Sequence, residues 1–292
     1  MHVFVTGATG WVGSAVVADF LRAGHRVTAL ARTTEKASAL AADGVEIVPG
    51  TLDDLDVLQS AAARADGVIH TAFNHDFLKD FSLFATNAAQ DERAIIALGQ
   101  ALAGSDRPIL VTSGLSGLQP GATEADRPVS GSPRRSEAAA TALAEHGVRA
   151  ATIRLAPSVH GIGDYGFVAM LARLARETGV SAYIGDGSYC WSGVHRLDAA
   201  KVYRLALERG ATEAIYHAVA DEAVPFREIA AAIGRRLGLP VEARPREHFG
   251  GFAMMVAASM AATSEATRSR LGWEPSGPGL IAELDRADYY AA

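Results

Sequence analysis

Residues 2–13 read His-Val-Phe-Val-Thr-Gly-Ala-Thr-Gly-Trp-Val-Gly: a short apolar strand runs into Thr6-Gly7-x-x-Gly10-x-x-Gly13, and a helix-like segment follows over 14–22. This order of strand, glycine turn and helix makes a nucleotide phosphate site. Gly7 allows the tight turn, Gly10 lets backbone approach a pyrophosphate, and Gly13 lets the helix pack closely on the strand. Thr6, Gly7, Thr9, Gly10, Trp11, Val12 and Gly13 are therefore the expected contacts. Glycines also serve ordinary turns, and here the strand before and the helix after decide the reading.

Working outward, apolar β-type runs alternate with helical patterns. Strands are expected near 2–6, 26–31, 45–48, 67–71, 108–112 and 149–155, and helices near 12–23, 34–42, 54–64, 80–103 and 135–145. Such a βαβ series predicts an α/β, Rossmann-type, doubly wound parallel sheet covered on both faces. Asp53-Asp54 suit a helix cap, and Gly24, Gly44 and Gly147 sit where helix C-terminal glycines belong. After about residue 156 the alternation loosens, with helices near 167–178, 198–209, 226–237 and 265–271 and a strand at 214–219. The expected organisation is a nucleotide-binding domain over 1–156 and a smaller C-terminal substrate-side lobe over 157–292, packed on the first and open to interleaving with it.

With 292 residues the chain can bury a sizeable core, and its net charge of −6 offers no basic stripe for nucleic acid. Cys190 is the single cysteine, which excludes an intramolecular disulfide and a cysteine-based zinc cluster and suits a reducing cytoplasm. No metal site is expected. The longest uncharged apolar stretch, 249–262, falls short of a bilayer span, and no membrane partner is expected.

In a doubly wound sheet, ligands lie beyond the strand C-termini, so the loops after residues 6, 31, 71, 112 and 155 should line a crevice. An NAD site normally carries an acid at the end of the second strand for the ribose 2′-hydroxyl. Here that strand ends Ala29-Leu30-Ala31-Arg32, where a guanidinium can pair with a 2′-phosphate. NADP(H) is therefore preferred over NAD(H), with a solvated Arg32 as the alternative.

The spacing Thr6-Gly7-x-x-Gly10-x-x-Gly13 resembles the short-chain dehydrogenase/reductase superfamily, in the atypical and extended branches that include epimerase/dehydratase-like and NmrA-like proteins. Looser similarities run through Val68-Ile69-His70-Thr71-Ala72, Asn87, and Arg154-Leu155-Ala156-Pro157-Ser158-Val159-His160-Gly161. By resemblance, Thr71 and Ala72 flank the cofactor riboses and Pro157 and Ser158 pass the nicotinamide. His70, His195 and Asp198 read equally as a core histidine, a satisfied strand histidine and a helix cap. Extended relatives also suggest a homodimer.

Active members use a tyrosine and a lysine four residues later, the lysine lowering the tyrosine pKa. Here the corresponding places fall at about Ser132 and Ser136. All seven tyrosines lie at Tyr165 or later, and the three lysines are Lys36, Lys79 and Lys201, so no Tyr-x-x-x-Lys pair exists. Another group must stabilise an alkoxide if hydride is transferred. His75, beside Asp76, is the first candidate, Tyr165 the second and His160 the third, while Ser113 or Ser116 can cover the role of the assisting serine. Arg134 and Arg135 rank lower, because paired arginines at a helix start usually face solvent. Tyr189, Trp191 and Phe167, and the methionine-rich stretch 249–260, suit an apolar pocket or ordinary core. The resemblance thus implies an oxidoreductase that transfers hydride between NADP(H) and a small, fairly apolar carbonyl or alcohol through a non-tyrosine proton donor. The competing readings are a non-catalytic, NmrA-like redox sensor and an epimerase or dehydratase that cycles a bound cofactor.

Overall fold

In the computed structural model, which describes residues 1–76, 80–129 and 134–291, the strands are β1 (His2–Thr6), β2 (Arg26–Ala31), β3 (Glu46–Pro49), β4 (Gly67–His70), β5 (Ile109–Gly114), β6 (Ala150–Leu155), β7 (Ser158–His160), β8 (Ser181–Tyr183), β9 (Cys190–His195), β10 (Ile215–Ala218), β11 (Asp221–Pro225) and β12 (Val241–Ala243). The longer helices are α1 (Trp11–Arg22), α2 (Thr34–Ala42), α3 (Leu55–Ala63), α4 (Phe84–Gln100), α5 (Ser136–Glu145), α6 (Phe167–Thr178), α7 (Arg196–Glu208) and α8 (Phe226–Leu237). The helix expected over 80–103 is α4, preceded by a 3-10 turn at Phe81–Leu83.

Seven strands form a parallel sheet in the order β10-β6-β5-β4-β1-β2-β3. The order reverses beside β1, which pairs with β2 on one side and β4 on the other. That is the switch point at which such folds open their crevice. Phe4 and Val68 are fully buried in a core with Leu58 of α3, Ile95 and Leu98 of α4, and Leu143 of α5. Gly67, one residue before Val68, lies against Leu207 of α7. Since neighbouring strand residues face opposite ways, α7 covers the other face of the sheet. There Arg204 of α7 donates to Asp19 of α1 at 2.7 Å. A buried bidentate pair, Arg154 to Glu137 at 2.8 and 2.6 Å, ties the start of α5 to β6.

Gly24, Gly44 and Gly147 have φ of 79°, 84° and 81°, the left-handed form that ends helices with little strain in glycine. Asp54 stands at the N-cap of α3, but its side chain makes no cap bond; it accepts instead from Thr51 N and Oγ1 at 2.7 and 2.8 Å. The expected Asp53-Asp54 cap is corrected accordingly: Asp53 accepts from Gln90 at 2.6 Å.

Two compact units interleave along the chain. The first comprises Met1–Ser113, Ser130–Arg154 and Ala200–Tyr216; the second comprises Gly114–Val129, Leu155–Ala199 and His217–Ala292. In the second, β11-β9-β7 form one sheet and β12-β8 another. Helix α8 buries Phe226, Ile229, Ala230 and Ile233, the spacing of one helical face. No described helix is long and apolar enough to cross a membrane.

Candidate functional site

In the first unit, the expected dinucleotide turn has the geometry its glycines require. Gly7 has φ of 72°, and a Cβ there would lie 2.6 Å from Ala72 N and 2.7 Å from Thr71 Oγ1. At Gly13 a Cβ would lie 2.1 Å from Gly7 O, so only glycine lets α1 start this close to the turn. A Cβ at Gly10 would meet only Gly7 O, at 3.1 Å, and otherwise open space. That open side is where a diphosphate would approach, beside the first-turn N–H groups of α1, which lack intrahelical acceptors. The residues fit the group. Thr71 N and Oγ1 donate to Thr6 O at 3.2 and 2.8 Å, clasping the ends of β1 and β4 together. Thr9, Trp11 and Val12 are half-buried in this turn, and Arg32 is exposed past the end of β2.

A chain of buried polar side chains runs beneath the turn. Thr6, His70, Asp91 and Ser136 are each 1% exposed or less. Thr6 Oγ1 meets His70 Nδ1 at 2.8 Å, and His70 Nε2 meets Asp91 Oδ1 at 2.9 Å. Ser136 Oγ donates to Asp91 Oδ2 at 2.5 Å. Arg134 Nε donates to Ser136 Oγ at 3.1 Å and its Nη2 to Thr112 O at 3.2 Å. The Thr112 hydroxyl donates to His70 O at 2.7 Å and meets Tyr203 OH at 2.8 Å.

The two arginines before α5 part company. Arg135 is exposed and pairs with Glu92 at 2.9 Å, the solvated role expected of both. Arg134 turns inward, its guanidinium 4.4 Å from the centre of the Phe73 ring. Burial lowers its pKa below the usual arginine value, opposed by the Asp91 carboxylate and Tyr203. Among the described residues its Nη1 donors and one on Nη2 have no hydrogen-bond partner. Sequence reasoning ranked Arg134 low and did not find Asp91; the available signal was that Asn87 and Asp91 lie one turn apart on α4.

His75 packs edge-on against Phe73 with ring centroids 5.6 Å apart. Desolvation of the ring and then the Arg134 charge lower its pKa below the ordinary 6.5, so the unprotonated imidazole prevails at neutral pH. It suits a hydrogen-bonding or base role better than a proton donor's. Its loop is held by Asn87 Nδ2, which donates to Asn74 O at 3.1 Å. Ser113 is buried at the end of β5, 8% exposed. Ser136 stands at the expected lysine place; Ser132, at the tyrosine place, lies outside the described residues.

The second unit holds the other nominated residues. Pro157 links β6 to β7, and the buried Ser158 hydroxyl has no hydrogen-bond partner among the described residues. His160 is fully buried, with Nε2 3.8 Å from Asp221 Oδ2. Tyr165 is 59% exposed and stands near Arg196, whose pKa is lowered by burial while Tyr165 opposes the shift. Beside it, Asp164 accepts from Tyr289 OH at 2.6 Å and from Gly166 N at 2.7 Å. Asp198 lies in the first turn of α7 and accepts from Ser276 N and Gly277 N at 2.9 and 2.6 Å. Phe167, Trp191 and Phe252 form an aromatic group, with centroids 5.5 to 6.5 Å apart. No His, Cys, Asp or Glu cluster among the described residues could hold a metal ion.

A model of the NmrA-like family matches residues 1–96. The protein C2A9.02 of Schizosaccharomyces pombe is 43% identical over 299 residues, covering 99% of this chain and all of that one. A 4-hydroxy-2-methyl-3-oxo-4-farnesyl-3,4-dihydroquinoline-1-oxide ketoreductase of Stigmatella aurantiaca is 24% identical over 257 residues, covering 83% of this chain and 75% of its own. Among solved structures, the dTDP-glucose 4,6-dehydratase DesIV of Streptomyces venezuelae, a double mutant with NAD bound, has a TM-score of 0.79 at 19% identity and covers 100% of this chain and 97% of its own. Across its whole length the chain belongs to one family with the Schizosaccharomyces pombe protein, its first 96 residues match the NmrA-like family, and its fold is that of the epimerase/dehydratase structures.

Proposed function

We propose that this protein is an NADP(H)-dependent reductase of a carbonyl group on a small, fairly apolar molecule, with Arg134 in place of the superfamily's tyrosine and lysine. The observation that carries the reading is the inward guanidinium, anchored by Ser136 and the Thr112 carbonyl at the end of β5 with donors to spare. A fixed cation with uncommitted N–H groups binds a carbonyl oxygen more tightly as negative charge develops on it. NADP(H), when bound, supplies the hydride. The turn 6–13 with Thr71 and Ala72 would hold its diphosphate and ribose, and Arg32 the 2′-phosphate. Pro157 and Ser158 are proposed for the nicotinamide side and Ser113 for orienting the substrate oxygen. His75 lends an N–H or accepts a proton in the alcohol-oxidising direction, and Tyr165 is the remaining proton donor to test. The Stigmatella relative, named as a ketoreductase, supports carbonyl reduction over internal cycling of the cofactor.

A second reading, a dinucleotide sensor without turnover, is favoured by the missing tyrosine–lysine pair and the NmrA-like match. A carbonyl panel followed by NADPH absorbance separates the two. Turnover that falls by about 10²–10³ in Arg134→Gln, with NADPH affinity retained, supports the reductase. Full activity in Arg134→Gln overturns the role of that residue, and no turnover with tight NADPH binding favours sensing. Arg32→Ser should weaken NADPH binding about tenfold and leave NADH unchanged.

A further inference from the structure

Asp91 is 1% exposed in the interior of α4, where a carboxylate is costly unless its oxygens are satisfied. Among the described residues each oxygen has one hydrogen-bond partner, His70 Nε2 at 2.9 Å and Ser136 Oγ at 2.5 Å. The directions of these bonds follow from chemistry. A carboxylate only accepts, so His70 carries a hydrogen on Nε2, and in the neutral ring Nδ1 then accepts from the Thr6 hydroxyl. On the other side, Ser136 has one proton and spends it on Asp91. Toward Arg134 it is therefore an acceptor, as the 3.1 Å Nε contact requires.

We propose that Asp91 is a positioning residue for both halves of the site: through His70 it sets the direction of the Thr6 hydroxyl in the dinucleotide turn, and through Ser136 it seats Arg134. Thr6 is the residue whose carbonyl holds Thr71 and whose next neighbour is the constrained Gly7, so a change in its hydroxyl bond is felt where the diphosphate would lie. The Arg134 arm rests on the reductase reading; the Thr6 arm does not. One carboxylate thus ties cofactor affinity to the placement of the guanidinium, across elements that are distant in sequence.

The test separates the arms. In Asp91→Asn, Ser136 can still donate to the amide oxygen, but the amide NH2 now faces His70 Nε2. The ring must then carry its hydrogen on Nδ1, and Thr6 loses its acceptor. Nitrogen-15 NMR of His70 should show the protonated and unprotonated nitrogens exchanged, and the NADPH dissociation constant should rise about tenfold. Thr6→Val should weaken NADPH binding equally, with nothing further lost in the Thr6→Val/Asp91→Asn double variant. Ser136→Ala should keep the His70 tautomer and NADPH affinity while kcat falls about tenfold, and Ser136→Thr should restore kcat.

An unchanged His70 tautomer in Asp91→Asn overturns the proposal. So does NADPH affinity that falls as much in Ser136→Ala as in Asp91→Asn, because a general loss of structure would do that. Where Asp91→Asn does not fold, the affinity of Thr6→Val decides, and unchanged binding there overturns the Thr6 arm. If the wild-type protein turns over no carbonyl compound, the reductase reading fails, while the tautomer and the NADPH affinities still decide the role of Asp91.

Discussion

His70 in the first unit and His160 in the second are both fully buried, yet His70 gives both ring nitrogens to hydrogen bonds, while among the described residues His160 gives neither and only stands 3.8 Å from Asp221. The contrast extends to their settings. The chain from Thr6 through Asp91 to Arg134 links each side chain to the next, with hydrogen-bond directions that allow one arrangement for a neutral His70. In the second unit the Ser158 hydroxyl and both Glu283 oxygens are buried without hydrogen bonds among the described residues. A satisfied network fixes a single geometry and punishes the loss of any member; an unsatisfied polar group already carries its desolvation cost. The first pattern marks residues whose contributions to stability are coupled, and in the second each group stands outside such a set, so that losing its polar atoms costs less fold stability.

The same substitution at both histidines gives the largest expected contrast. His70→Phe strips Asp91 of one donor and Thr6 of its acceptor and should cost about 3–5 kcal/mol in urea unfolding. A loss below about 1 kcal/mol would mean that the chain is not a cooperative set. Next comes Gly13→Ala, whose Cβ would meet Gly7 O at 2.1 Å. It should cost about 1–3 kcal/mol and abolish NADPH binding by titration. In the second unit, Gly179→Ala meets no atom within 4 Å and faces only its φ of 74°. About 1 kcal/mol is expected there, and a larger loss would show packing that the site does not display.

His160→Phe should change stability by less than about 1 kcal/mol in either direction. A loss as large as that of His70→Phe would erase the contrast. The smallest effect concerns Asp164, whose pKa is raised above the ordinary 3.8 by burial, against the opposing Tyr289 and Gly166 hydrogen bonds. A raised carboxyl pKa means that the folded state holds its proton more tightly than the unfolded chain does. Its contribution is fully present below about 3.8 and is lost as pH rises through the folded value. Asp164→Asn should therefore match the wild type in acid and melt slightly higher at neutral pH. Thermal melts at about pH 3 and pH 7 check this, and a variant less stable only at neutral pH would reverse the sign.

Much of the architecture was legible because local rules repeat along the chain. The strands and helices of the seven-stranded sheet follow from periodicity, and the helix-ending glycines from glycine's low cost at the positive φ that a helix end takes. Strands β7, β8, β11 and β12 were missed, and of β9 only His195 was read as lying in a strand. Three of them have three residues, too few for alternation to declare itself, and β9 and β11 lie in loop-like stretches rich in glycine, serine and acids. Asp54 was misread because a cap residue can turn back to a preceding threonine as readily as forward to its helix.

The sequence by itself determined the dinucleotide turn, because the demands on Gly7, Gly10 and Gly13 are met within a few residues of backbone. It also determined that no tyrosine–lysine pair is present, which is a matter of counting. Only the tertiary structure decided which arginine turns inward and which buried acid holds it. The contacts that join Thr6, His70, Asp91 and Ser136 span 64, 21 and 45 residues of sequence. A hydrogen bond depends on distance and direction between two groups, and at such separations the folded sheet and helices set both.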